Sequence, residues 1–146
     1  MNPQTEQENL SMPPGIIIPV LVYPDVASAV VWLCSTFGFK ERLRIGDHRS
    51  QLVFATASII VTTHDNSIDS INSKPFQTHS LMVRVDNVDQ HFAHVKASTA
   101  KILHPPETYP FGERQYTVED VGRHQWTFTQ SIKDVAPDEW GGKLLD

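Results

Sequence analysis

Two stretches decide how this chain folds: Pro19-Val20-Leu21-Val22-Tyr23-Pro24-Asp25-Val26 and Leu81-Met82-Val83-Arg84-Val85-Asp86-Asn87-Val88. Each is a short run of strand-forming residues leading to a helix-capping residue, Asp25 in the first and Asn87 in the second. A side-chain oxygen at that point accepts from the N–H groups that the first helical turn leaves unpaired. After each cap the apolar residues fall at helical spacing: Val26, Ala29, Val30 and Leu33, then Val88, Phe92 and Val95. Displacing the first stretch by 62 positions lays Leu21 on Val83, Val30 on Phe92 and Leu33 on Val95. A strand–cap–helix unit that recurs in the same phase implies a duplicated module, each half burying the apolar face of the other.

The flanking sequence extends both units in the same way. After the first helix Gly38 supplies a left-handed stop, and strands are predicted over Phe39–Ile45, Ser50–Thr56 and Ser58–Thr63. The first strand itself is read as Ile16–Tyr23, and residues 64–74 as a polar linker. In the second half Ser80–Val85 is a strand, Lys101–Leu103 a short one, and Pro105, Pro106 and Pro110 mark a loop. Glu113–Glu119 and His124–Gln130 close the pattern. The organisation is therefore a flexible N-terminal tail over 1–14, a domain over 15–130 made of modules 15–64 and 78–130, and a C-terminal extension over 131–146. That extension carries Trp140 and Gly141-Gly142 and is expected to pack on the surface. The fold class is α+β: two βαβββ modules form a curved mixed sheet with a central cup, helices outside.

Composition narrows the function. The chain has 146 residues, a formal net charge of -5 and 40% hydrophobic residues, the profile of one globular domain. An acidic surface without a basic run repels phosphate backbones, so nucleic acid is not an expected partner. The apolar stretches Ile16–Val22 and Val26–Leu33 are too short to span a bilayer, so no membrane is expected either. No secretory signal is visible, and the expected compartment is the cytoplasm. The single cysteine, Cys34, excludes a disulfide framework and reads as a buried structural thiol.

The chain resembles the vicinal oxygen chelate superfamily, which groups glyoxalase I, bleomycin-resistance proteins and extradiol dioxygenases. The resemblance rests on Pro19 to Val26, Phe37-Gly38-Phe39 and His79 to Val88. Gly112 to Tyr116, Asp120, His124, Trp126-Thr127-Phe128 and Trp140-Gly141-Gly142 resemble an uncharacterised glyoxalase-like subgroup. The resemblance implies a half-barrel from each module and a homodimer. It also implies that metal-dependent members hold a divalent ion with side chains from the first and fourth strands of each half. Those positions here are Ile18, about Val61, Ser80 and Thr127. Two are hydrocarbons and two are neutral hydroxyls, whereas catalytic zinc or iron takes about three imidazole, thiolate or carboxylate ligands. No metal and no other cofactor is expected in that centre.

Strand alternation then sorts the lining. Leu81, Val83 and Val85, with Trp126 and Phe128, form a helix-facing set. The opposite phase carries Ser80, Met82, Arg84, Glu113, Gln115, Thr117, Gln125, Thr127 and Thr129, while Ile18, Val20, Val22, Ile59 and Val61 provide an apolar wall. The candidate ligand-binding residues are Gln51, Ser80, Arg84, Glu113, Gln115, Gln125 and Thr127. Arg84 either binds an anionic group or covers the strand end. Glu113, if it faces the cup among apolar residues, would have its pKa raised by desolvation, and is otherwise a strand-edge carboxylate in water. His91 and His94 are read as solvated flanks of the second helix.

Three functions fit this pattern. One is a protein that binds a small organic molecule without metal, like the drug-sequestering members of the superfamily. The second is a metal-dependent glyoxalase, lyase or dioxygenase-type enzyme with displaced ligands such as His79 and Glu113. The third is a partner-binding module with a filled cup.

Overall fold

The computed structural model describes residues 9–63 and 78–145. The 64–74 linker reading and the first eight residues of the tail lie outside that range. The chain divides into two compact units between Lys74 and Pro75, and each has the same element order.

The first unit runs β1 (Val20–Val22), α1 (Val26–Phe37), β2 (Lys40–Ile45), β3 (Arg49–Phe54) and β4 (Ala57–Thr62), with sheet order β1-β4-β3-β2. Strands β1 and β4 are parallel and the remaining neighbours antiparallel. The helix begins where the capping argument places it, the Asp25 carboxylate accepting from the Ser28 N–H at 3.3 Å. It ends at Gly38, φ 85°, whose N–H donates to the Cys34 carbonyl. Leu21, Tyr23, Leu52, Ile59 and Val61 are buried, as are Val26, Ala29, Val30, Leu33 and Phe37 of α1. At about 1.5–3 kcal/mol for each large apolar side chain, this layer is the main source of the module's stability.

The second unit runs β5 (Leu81–Arg84), α2 (Val88–Lys96), β6 (Lys101–Thr108), β7 (Glu113–Glu119) and β8 (Gln125–Ser131), with order β5-β8-β7-β6. Asn87 caps α2 through the Gln90 N–H at 3.0 Å. Val88, Val95, Tyr116, Val118, Trp126 and Phe128 form its buried layer. A 3-10 helix over Pro137–Trp140 follows in the C-terminal extension.

Three expectations are corrected here. The first strand is three residues long instead of Ile16–Tyr23; Pro19 has no N–H, and its pairing is confined to the Ile60 N–H donating to its carbonyl at 2.9 Å. The proline-rich segment is a turn only at Pro110, after β6 ends. Strand β6 continues through Pro105 and Pro106 because it is an edge strand, with the prolines in the register break between His104 and Glu107. Finally, His91 is not a solvated flank of α2: its Nδ1 lies 2.6 Å from the Tyr116 hydroxyl and its ring 4.1 Å from that of Phe128. Imidazole thus packs on the sheet beside Phe92, whose ring stands edge-on to Tyr116 at 5.2 Å; both residues are half-buried.

Candidate functional site

Strand pairing places the predicted residues of the second module on one surface, the face of its sheet turned away from α2. Tyr116, Val118, Trp126 and Phe128 occupy the helix side, so their alternates Glu113, Gln115, Thr117, Thr127 and Thr129 share the other. Arg84 pairs with Thr129 and Met82 with Thr127, extending two rows across β5, β8 and β7. The first row is bonded between β7 and β8. Gln115 Nε2 donates to Thr129 Oγ1 at 3.1 Å, and that hydroxyl donates onward to Glu113 Oε1 at 2.6 Å. In the second row Thr117 and Thr127 share a hydrogen bond of 3.1 Å, beside a Met82 that is 65% exposed.

This face therefore brings Arg84, Glu113 and Gln115 together, with Thr127 one row away. Gln125 lies further along β8, opposite Glu119, and Ser80 precedes β5 on the same phase. Two further residues, His104 and Glu107, join the face through pairing with Thr117 and Gln115, and contact each other at 3.3 Å. The two prolines between them read locally as a loop, which hides both residues in the sequence. Gln51 belongs to the first module. It is buried there, accepting from Arg42 Nη1 at 2.6 Å and donating to the Ser11 carbonyl at 2.9 Å.

The wall assigned to the first module also needs correcting. Leu21 pairs with Val61 and Leu52 with Ile59, all in the buried layer facing α1, so Ile59 and Val61 point to the helix. Ile60 takes the opposite face with Val20 and Gln51. The phase of β4 is one residue from the expected one, and one residue reverses every side chain in a strand.

The charge on this face follows from the partners of Glu113, not from apolar surroundings. The Glu113 carboxyl is held below the usual carboxylate range by hydrogen bonding from Ser131 and Thr129, with a smaller pull from the Arg84 charge. Desolvation acts upward, as reasoned from the sequence, but the hydroxyl donors outweigh it. Glu113 is accordingly a fixed anion at neutral pH and not a raised-pKa base. A group whose folded pKa lies below its unfolded value stabilises fully above the unfolded pKa, and that contribution is lost as pH falls through the folded one. Glu113→Gln should therefore lower the melting temperature at pH 7, and the gap from the parent should close as pH drops below about 4. A gap that stays constant in thermal melts across that range would show that the carboxylate's hydrogen bonds carry no net stabilisation.

The donor set does not fit the metal centre that the resemblance implies. With the phase of β4 corrected, the positions are Ile18, Ile60, Ser80 and Thr127, and no trio of His, Cys, Asp and Glu side chains gathers anywhere among the described residues. The displaced pair also fails. His79 has its ring 6.5 Å from that of His124, at the start of β8, whereas Glu113 pairs with Ser131 at its end, roughly 20 Å away along the strand. Cys34 is half-buried and not fully buried as expected; partial burial, with the nearby Glu41 charge, still pushes the thiol pKa up and leaves it a poor nucleophile.

A separate cleft of about 390 Å³ lies between the turn before β7 and the C-terminal extension, lined by Tyr109, Gly112, Ile132, Lys133, Val135 and Glu139 among others. None of the predicted ligand residues lines it. No helix of the described residues is long and apolar enough to cross a membrane.

Paired βαβββ modules, each with its first and fourth strands parallel and a polar sheet face opposite the helix, define a protein of the glyoxalase fold. The comparisons make the assignment: residues 15–128 match the model of the Glyoxalase/Bleomycin resistance protein/Dioxygenase superfamily, and the chain belongs to it. Among solved structures it is similar to TioX from Micromonospora sp. ML1, with 29% identity, a TM-score of 0.66, and 84% of this chain and 100% of that one covered. It shares the fold of the genomically encoded fosfomycin resistance protein FosX from Listeria monocytogenes, at 15% identity, TM-score 0.64, and 82% and 94% coverage. It also shares that of a lactoylglutathione lyase from Agrobacterium tumefaciens, at 16% identity, TM-score 0.63, and 88% and 98% coverage. Among curated proteins none matches the chain.

Proposed function

We propose that this protein binds a small organic molecule on the open face of its second sheet, without a metal ion. The observation that carries this reading is the bonded row Glu113–Thr129–Gln115 with Arg84 beside it. Side chains held by one another keep their geometry without a ligand, which lowers the ordering cost of binding. An exposed guanidinium next to an exposed methionine suits a molecule with an apolar body and an anionic group. Ser80, Gln125 and Thr127 offer further polar contacts along the same face. Binding is driven by apolar area removed from water, about 25 cal/mol per Å², and the polar groups set orientation. Gln51 has no part in this site as described, because its amide is already engaged within the first module.

Anilinonaphthalene sulfonate has the required combination of an aromatic body and one anion. Its fluorescence should rise saturably with the protein, unchanged by EDTA, and Arg84→Gln should weaken it about tenfold, the loss of one charge-assisted contact. Elemental analysis of the same sample should find less than stoichiometric divalent metal. Binding abolished by EDTA, or an affinity indifferent to Arg84→Gln, would defeat the proposal. The reading also carries a homodimer and a cytoplasmic setting, for which superfamily membership is the support; light scattering at tens of micromolar tests the first.

A further inference from the structure

Residues 9–13 contact the first sheet in an unusual way. Asn9 organises a tight turn: its side-chain oxygen accepts from the Ser11 N–H at 2.9 Å and its carbonyl from the Met12 N–H at 3.0 Å. The turn aims the two consecutive carbonyls of Leu10 and Ser11 at the sheet. They are received by two donors on neighbouring strands, Arg42 Nη2 at 2.9 Å and Gln51 Nε2 at 2.9 Å. The donors are fixed relative to each other, since Arg42 Nη1 donates to Gln51 Oε1 at 2.6 Å and Gln51 is only 3% exposed. The side chains of the arm are not what is held. Leu10 is 82% exposed and Met12 50% exposed, while Pro13 alone is buried.

From this we infer that Arg42 and Gln51 form a recognition site for a turned peptide, reading two successive carbonyl oxygens, and that the chain's own Leu10-Ser11 segment is its displaceable occupant. Recognition through main-chain oxygens is indifferent to the side chains beyond them, so any peptide-like molecule in the same turn offers equivalent acceptors. A segment fastened by two side-chain hydrogen bonds, one exposed and one part-buried, and one proline belongs to the low-stability end of a structure and opens without unfolding the rest. When it lifts, the guanidinium and the carboxamide remain clamped together on the sheet, and a competing ligand meets a preformed donor pair. The site lies wholly in the first module and would stand even if the open face of the second module took no ligand.

The test uses the full-length, nitrogen-15-labelled protein and the capped peptide acetyl-Asn-Leu-Ser-Met-Pro-Pro-amide, which copies residues 9–14. In Arg42→Met and in Gln51→Met the backbone amide signals of Leu10 to Met12 should move to random-coil positions. Methyl signals of Leu21, Leu33 and Leu52 should stay in place, showing an intact core. In the parent protein about 10 mM peptide, comparable with the effective concentration of a tethered segment, should move the same arm amides part of the way. The Gln51 side-chain amide should keep its bonded position throughout, since one carbonyl replaces another. Arm amides that are unmoved in Arg42→Met, whose site is the less buried of the two, would overturn the strap. An arm released by the substitutions but unaffected by the peptide in the parent protein would overturn the peptide-recognition site.

Discussion

Gly112→Ala should lower the stability of the second module by about 3 kcal/mol and strip the C-terminal extension from it. Gly112 has φ 86°, where an added Cβ is already strained. The larger effect is contact: a Cβ there would sit 2.0 Å from the Lys133 carbonyl oxygen, a backbone atom that cannot rotate away. The chain after β8 must retreat, and the Ile132 and Lys133 N–H groups, which donate to the Gly112 carbonyl at 2.8 and 3.2 Å, lose their acceptor. Left-handed strain and two lost hydrogen bonds are each worth about 1 kcal/mol, with the displaced packing added. Hydrogen exchange should show protection lost at Ile132 and Lys133 first, and the cleft lined by Gly112, Ile132 and Lys133 should widen. Parental protection at those two amides would mean the extension is not anchored through this glycine.

Asp120→Ala should cost about 3–5 kcal/mol, the largest loss expected from any single polar side chain here. The carboxylate is buried at the β7–β8 turn. One oxygen accepts from the Gly122 and His124 N–H groups at 2.8 and 2.9 Å, the other from the Trp126 indole at 2.9 Å. Trp126 is 1% exposed, so water cannot replace the lost acceptor, and Arg123 in the same turn holds φ 69° with less to support it. The indole bond can be isolated. If Trp126→Phe is made in the Asp120→Ala background, the double variant should lose less than the two single losses combined, because the orphaned donor is gone. Urea melts that place Asp120→Ala within 1 kcal/mol of the parent, or strict additivity in the double variant, would refute this account.

Both positions belong to sequence features noticed for their resemblance, yet their physical roles were invisible until the chain was folded. The helix starts were legible because capping is local: Asp25 and Asn87 act three residues away, and both do so. The polar face of the second sheet was legible because Leu81, Val83, Trp126 and Phe128 alternate cleanly. The first module offered no such alternation. In Ser58-Ile59-Ile60-Val61 three apolar residues in succession fit either phase, and only pairing with β1 and β3 turns Ile59 and Val61 to the helix. His104 and Glu107 were hidden by prolines whose cost depends on edge or centre, a property of the sheet and not of the segment. The direction of the Glu113 shift turned on two hydroxyls, Thr129 and Ser131, on the adjacent strand.

What residues two to four positions apart impose on one another was settled by sequence alone: two capped helices, alternating strands and their duplication. Pairing between residues far apart in the chain decided the rest. It put Arg84 beside Glu113, joined Arg42 and Gln51 to Leu10 and Ser11, and pressed Gly112 against Lys133. The reason is that a strand's neighbours, and so the faces and charges it presents, are chosen by hydrogen-bond register, which no local pattern encodes.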